Sequence, residues 1–234
     1  HTRSLCDWSS DVCSSDLSSL HYYLDLHPEV AMSSPKELDF FLTPPVIPPT
    51  VSHAREAVDT DEMSGNWHRG LAWYTAHFDP AARVRGETST NYSDLWCPGV
   101  PARMAGVVPG AKIILLARHP IARMISNHHH MVVQERESES LEQAARRPGN
   151  IYVRRSRYAT MAEAFRGSFP REQILLLRDE DLLHRRRETM ARVFRFVGVD
   201  DGFWSDKMER LRHQTADKSR LRGTAERQIG RAHV

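Results

Sequence analysis

The chain has 234 residues, 40% of them apolar and 26% charged, and its 32 Lys and Arg against 30 Asp and Glu give a formal charge of +2. So even a balance lacks the basic excess of a general nucleic-acid binder, and no nucleic-acid partner is expected. No apolar run approaches the roughly 18 residues that cross a bilayer as a helix.

The two ends read unlike domain termini. Back-translated as ATC GGA AGA GCA CAC GTC, Ile229–Val234 has a reverse complement that encodes DVCSSD, which is the sequence of Asp11–Asp16. One oligonucleotide read on both strands explains both ends, and it resembles a sequencing adapter. Residues 1–17 and 228–234 are therefore expected to be adapter-derived and no part of the natural domain. That leaves 18–227, roughly 210 residues, as one domain expected to be truncated. The excluded ends hold two arginines and three aspartates, so the remainder stands at +3. They also hold Cys6 and Cys13, which leaves Cys97 alone. A lone cysteine forms no internal disulfide, which favours a reducing, cytoplasmic setting.

In chain order, SSLHYYLDL (18–26) spaces Leu20, Tyr23 and Leu24 as a short amphipathic helix, which His27-Pro28 breaks. EVAMSS reads as a short buried strand, and KELDFFL leads into TPPVIPPT, too proline-rich for regular structure, in a loop running to Gly65. NWHRGLAWYTAHF returns to helical spacing, with Trp67, Leu71, Tyr74 and Phe78 on one face. ARVRGETSTNYSD reads as a strand ending at Gly86 and Glu87. AKIILLAR is continuous, β-branched at its centre and succeeded by a helical pattern from Pro120, the mark of a strand buried on both faces. QERESESLEQAARRPGN is a solvated surface segment, YATMAEAFRGSF a helix, and QILLLRDEDL a second buried strand. RRRETMARVFRFVGV is a helix with Met190, Val193, Phe194 and Val197 inward, and the basic tail MERLRHQTADKSRLRG reads as helical. Strands alternating with helices predict an α/β fold with a parallel sheet.

In such sheets ligands bind off the carboxyl ends of the strands, where helix N-termini offer free N–H groups and partial positive charge. Arg118 stands at such an end, and Pro120 suits the first turn of the next helix. Arg118 can fork two charge-assisted bonds onto a phosphate, and Ser126 can add a hydroxyl if the helix start is irregular. The plain alternative pairs Arg118 with a carboxylate and leaves Ser126 an ordinary helical serine.

These residues resemble a family, the sulfotransferases that use 3′-phosphoadenylyl sulfate (PAPS). In it a strand ending in R-x-P-x-x-R-x-x-S binds the donor's 3′-phosphate, and Arg118, Pro120, Arg123 and Ser126 match that pattern. The match continues in the family's order. SSLHYYLDLHPEV resembles the stretch just after the 5′-phosphosulfate loop K-x-G-T-[ST], a loop of which Ser18 and Ser19 remain. KELDFF resembles the E-x-x-F-F segment of glycan-type members, and HRGLAWYTAHF and GETSTNY the next two blocks. SRYATMAEAF with FPREQILLLRDEDL resembles the block that closes the core, and FRFVGVD the final helix. Relatives often carry a lysine where this chain has Thr88. The resemblance runs from Ser18 to about Asp200 and implies a P-loop-NTPase-like parallel sheet flanked by helices, with the N-terminal strand and phosphosulfate loop expected to be missing.

By the resemblance, Arg118 and Ser126 hold the 3′-phosphate, Ser18 and Ser19 belong to the donor site, Glu37 is the catalytic base, and Arg123 is a helix-packing position. Lys36, beside Glu37, reads as a solvated lysine. The implied reaction moves a sulfuryl group from PAPS to a hydroxyl or amine of a glycan, lipid or small molecule. A non-catalytic adenine-nucleotide-binding module and a kinase-like P-loop protein are the alternatives, although no G-x-x-x-x-G-K-[ST] stretch is present. The family's loop lysine is absent, so this polypeptide is expected to be inactive or nearly so. Asn127–His130 (NHHH) is not read as a metal site, because adjacent helical histidines point in different directions; His128 is expected to pack near the nucleotide.

Overall fold

The computed structural model describes residues 3–8, 14–46 and 65–209. In chain order the elements are β1 (Arg3–Trp8), α1 (Ser14–Asp25), β2 (Val30–Met32), α2 (Gly70–Thr75), β3 (Val84–Ser89), α3 (Val100–Val107), β4 (Lys112–Ala117) and α4 (Pro120–Val133). Next come α5 (Leu141–Arg146), α6 (Ile151–Arg154), α7 (Tyr158–Arg166), β5 (Ile174–Arg178), α8 (Asp179–His184) and α9 (Arg186–Val197). The strands pair in parallel in the order β2-β3-β1-β4-β5. All five carboxyl ends therefore lie along one edge of the sheet.

β4 shows why its sequence is continuously apolar. Ile114 and Leu116 face a core built with Leu20, Tyr23 and Leu24 of α1 and with Met190, Val193, Phe194 and Val197 of α9. Ile113 and Leu115 face a second core with Phe40, Phe41, Tyr74, Met104 and Phe165. A strand covered on both faces has no solvent side on which to place polar residues.

Several expectations shift. The central place, where the resemblance implies a missing strand, is taken by β1, paired to β3 and β4, out of the segment with adapter-like sequence. Ladder bonds are made by main-chain groups, so that position places no demand on how the residues came to be encoded. β5 is an edge strand: Leu175 and Leu177 are buried while Leu176 faces out, so it is covered on one face only. β3 runs past Glu87 to Ser89. In the NWHRGLAWYTAHF segment, a 3₁₀ turn over Trp67–Arg69 precedes α2 and breaks the expected face. Tyr74 is buried there, whereas Leu71 is exposed. Most of the proline-rich loop, residues 47–64, and all but the first two residues of the basic tail lie outside the described residues. Among the described residues no helix is long and apolar enough to cross a membrane.

Candidate active site

Three connections leave the carboxyl edge of the sheet and bring the candidate residues to one side of the molecule. After β2 the chain turns through a cis Ser34–Pro35 peptide and hooks over the end of β3, where the Glu37 amide donates to the Thr88 carbonyl (3.0 Å). Both Glu37 (φ 57°) and Asp39 (φ 48°) adopt left-handed backbone, a strained conformation for side chains of this type and one that persists only when neighbours fix it. Here the neighbours are aromatic. Phe40 stacks on Tyr74 at 4.4 Å, and Phe41 meets Tyr92 edge-on at 5.7 Å. The Phe41 amide donates to the Tyr92 hydroxyl (3.2 Å), while its carbonyl accepts from Arg103 Nε (2.8 Å). The two phenylalanines of E-x-x-F-F therefore act as an anchor that sets where Glu37 stands.

The Glu37 carboxylate is bound at 2.8 Å by Lys36 Nζ and at 3.3 Å by the Thr90 hydroxyl. Lys36 is not the solvated lysine expected from sequence: its ammonium also donates to Ser18 Oγ of α1 (2.9 Å), and its side chain is 24% exposed. One turn further along α1, His21 Nδ1 lies 2.9 Å from the Thr88 hydroxyl. Burial, reinforced by the Lys36 charge, lowers the His21 pKa to about 4. Ser18 and Ser19, which the resemblance assigns to the phosphosulfate loop and the spacing to a helix, both sit inside α1. Ser18 is half-buried at the edge, whereas Ser19 is buried and faces inward.

Two carboxylates lie deeper, and sequence reasoning missed both. Asp39 accepts hydrogen bonds from the Ser89 hydroxyl and from Asn91 Nδ2. Burial raises its pKa to about 6, against the Ser89 bond and with the Glu37 charge adding to the rise. Glu87 is wholly enclosed, accepting from the hydroxyls of Tyr74 (2.7 Å) and Tyr92 (3.0 Å). Burial pushes its pKa up to about 8, the two tyrosine bonds opposing. Behind Asn91, buried Asp94 is gripped by Arg154 Nη2 (3.0 Å) and Arg155 Nε (2.8 Å). Arg155 also donates to Asn91 Oδ1 (3.1 Å). Burial alone would raise Asp94, but the Arg155 and Arg154 guanidiniums outweigh it and hold its carboxyl below the ordinary value.

At the other end of the edge, Arg118 comes directly after β4. Its nearest acidic neighbour is Asp179 at 4.0 Å, and its side chain is 29% exposed, so it is neither locked in a tight pair nor buried in the core. Pro120 occupies the first turn of α4, whose start is regular, with His119 as N-cap. The irregular start on which a Ser126 contact depended is therefore not present, and Ser126 is a half-buried residue in the second turn of α4. Arg123 is fully buried; its Nε donates to Ser156 Oγ (2.7 Å) and its Nη2 to the carbonyls of Ile151 and Tyr152. The two arginines of the motif thus differ in burial, one at the edge and one packing α4 against α6.

His128 Nε2 lies 2.8 Å from the Glu139 carbonyl, and its ring is 5.6 Å from that of Tyr152, so it packs on the segment before α5. No group of three or more metal-ligating side chains occurs among the described residues. A cavity of about 310 Å³ beside Trp96, Arg154 and Arg157 is lined by none of the candidate residues and is not part of this site.

Residues 100–206 match the model of the Sulfotransferase family. The bifunctional heparan sulfate N-deacetylase/N-sulfotransferase 2 of Homo sapiens is 22% identical over 228 residues, covering 82% of this chain and 23% of that protein. The corresponding enzyme 3 of Homo sapiens is 24% identical over 241 residues, covering 88% and 25%. This chain thus spans about a quarter of the length of these curated relatives. A sulfotransferase from Alicyclobacillus acidocaldarius superposes with a TM-score of 0.70 at 22% identity, covering 97% of this chain and 92% of that one. The sulfotransferase domain from the curacin biosynthetic pathway superposes with a TM-score of 0.57 at 15% identity, covering 89% and 77%. A parallel sheet with helices on both faces gives this chain the fold of those structures, and its match to the Sulfotransferase family model runs from α3 past α9.

Proposed function

We propose that the domain binds PAPS along the carboxyl edge of the sheet and transfers its sulfuryl group to a hydroxyl or amine, with Arg118 on the 3′-phosphate and Glu37 as the base. What carries the reading is that Arg118, partly exposed and in no tight ion pair, stands at the end of the interior strand β4 while Glu37 is held over the end of β3 on the same edge. In the reaction the acceptor's lone pair attacks sulfur, its proton passes to Glu37, and the bond from sulfur to the bridging phosphate oxygen breaks to release adenosine 3′,5′-bisphosphate. Among glycan, lipid and small-molecule acceptors we favour a glycan, because the relatives named for heparan sulfate align over more than four-fifths of this chain. Residues 11–17, ahead of Ser18, read DVCSSDL and offer no lysine, so turnover by this polypeptide is expected to be slow.

The test is nucleotide binding by calorimetry, which needs no turnover. The chain should bind adenosine 3′,5′-bisphosphate; Arg118→Ala should weaken it by about 10- to 100-fold, the worth of a charge-assisted pair of bonds; and Glu37→Gln should leave it unchanged. Equal affinity for Arg118→Ala and the parent chain would remove the phosphate assignment.

A further inference from the structure

We propose that Lys36 is a ligand of the donor's sulfonate, the cation that meets the group being transferred; this rests on the PAPS reading above. A lysine ammonium has three N–H donors. Two are directed at Ser18 Oγ and Glu37 Oε1, and among the described residues it has no further hydrogen-bond partner. The side chain is three-quarters shielded, held between α1 and the strand-end segment that carries the base.

Its position along the sheet supports the assignment. Lys36 lies beyond β2 and Arg118 beyond β4, three places away in the strand order. At about 4.8 Å per strand the two cations are spaced on the order of 10–15 Å along one edge. That is the scale of a nucleotide carrying anionic groups at both ends of its ribose. With the 3′-phosphate on Arg118, the other anionic end reaches the α1 and Glu37 side, where Lys36 stands. Neighbouring bases do not compete for that role. His21 is neutral at physiological pH, and Arg155 is buried and bonded to Asp94 and Asn91.

The chemistry fits a lysine. A sulfuryl group in flight spreads negative charge over three oxygens, and a compact ammonium on a flexible stem can track it from the bridging oxygen to the acceptor. Contact with Glu37 couples the two halves of the step. When Glu37 takes the acceptor's proton it ceases to be an anion, and the ammonium beside it loses its competing partner just as the sulfonate needs it.

The experiment compares two nucleotides on three chains. PAPS and adenosine 3′,5′-bisphosphate are titrated into the parent 234-residue chain, Lys36→Met and Lys36→Arg. The expected result is that Lys36→Met loses about tenfold or more in affinity for PAPS relative to the bisphosphate, whose own affinity changes by less than about twofold, while Lys36→Arg retains most of the discrimination. If Lys36→Met weakens both nucleotides equally, or neither, Lys36 serves only to hold Ser18 or Glu37 and the assignment falls, with the PAPS reading intact. If the parent chain binds neither nucleotide, both fall together. If the Lys36→Met chain does not fold, Lys36→Gln takes its place: a loss confined to PAPS supports the sulfonate contact, and equal loss for both nucleotides, or for neither, refutes it.

Discussion

Glu87→Gln tests the buried carboxyl directly. Glu87 is wholly enclosed, and its pKa is raised from 4.5 to about 8 by burial. Between those values the folded protein keeps a proton that the unfolded chain releases. Stability contributed by this group is therefore complete below about pH 4.5 and falls as pH rises towards 8. Each tenfold change in proton affinity corresponds to about 1.4 kcal/mol, so the full difference is on the order of 3–5 kcal/mol. Glutamine is neutral throughout and of the same shape. Its amide oxygen can accept from one tyrosine while its NH₂ donates to the other, replacing the bonds now made by Tyr74 and Tyr92. Urea-unfolding midpoints from about pH 4 to about pH 9 should show the two proteins nearly equal at the acid end and the glutamine variant increasingly the more stable above pH 6. Asp39, also raised, tilts both curves in the same sense, and its charge adds to the rise at Glu87, so it does not reverse the sign of the difference. Parallel curves, with a constant offset across the range, would refute the claim that Glu87 is held protonated.

The packing behind the site sets two further outcomes. Asp94→Ala strands the Arg154 and Arg155 guanidiniums without their shared carboxylate and should cost about 3–5 kcal/mol; a loss under about 1 kcal/mol in chemical denaturation would show that the arginines find other partners. Cys97 is buried, and burial together with the Asp94 charge pushes its thiol up to about 12. In a Cys6→Ser, Cys13→Ser background its reaction with a thiol reagent at neutral pH should be at least about 100-fold slower in the folded protein than in urea; equal rates would contradict that burial.

The parts of the fold legible in the sequence are those where local pattern and tertiary burial agree. β4 is covered on both faces and is uniformly apolar, and α9 buries Met190, Val193, Phe194 and Val197, the residues its spacing marks. β5 misleads because Leu176 is as apolar as its neighbours although it faces solvent, and nothing in a strand's own sequence says that one of its two faces lacks a covering layer. Arg118 and Arg123 are separable from the motif, and the structure divides them by burial. Asp39 and Glu87 escape a reading of the sequence, because their environments come from Ser89, Asn91, Tyr74 and Tyr92, none of them fixed in space by sequence spacing alone. The one visible signal is a second acid two positions after Glu37. Lys36 reads as solvated for a similar reason: its partner Ser18 lies 18 residues earlier, on a different element.

The left-handed backbone of Glu37 sets durability against chemistry at a single position. Glycine adopts that conformation without steric conflict, so Glu37→Gly would ease the main chain while deleting the proposed proton acceptor, and selection for a tougher protein alone would push this position away from the carboxylate that the proposed reaction uses. On the proposed mechanism, the carboxylate at this position is carried against the backbone's own preference.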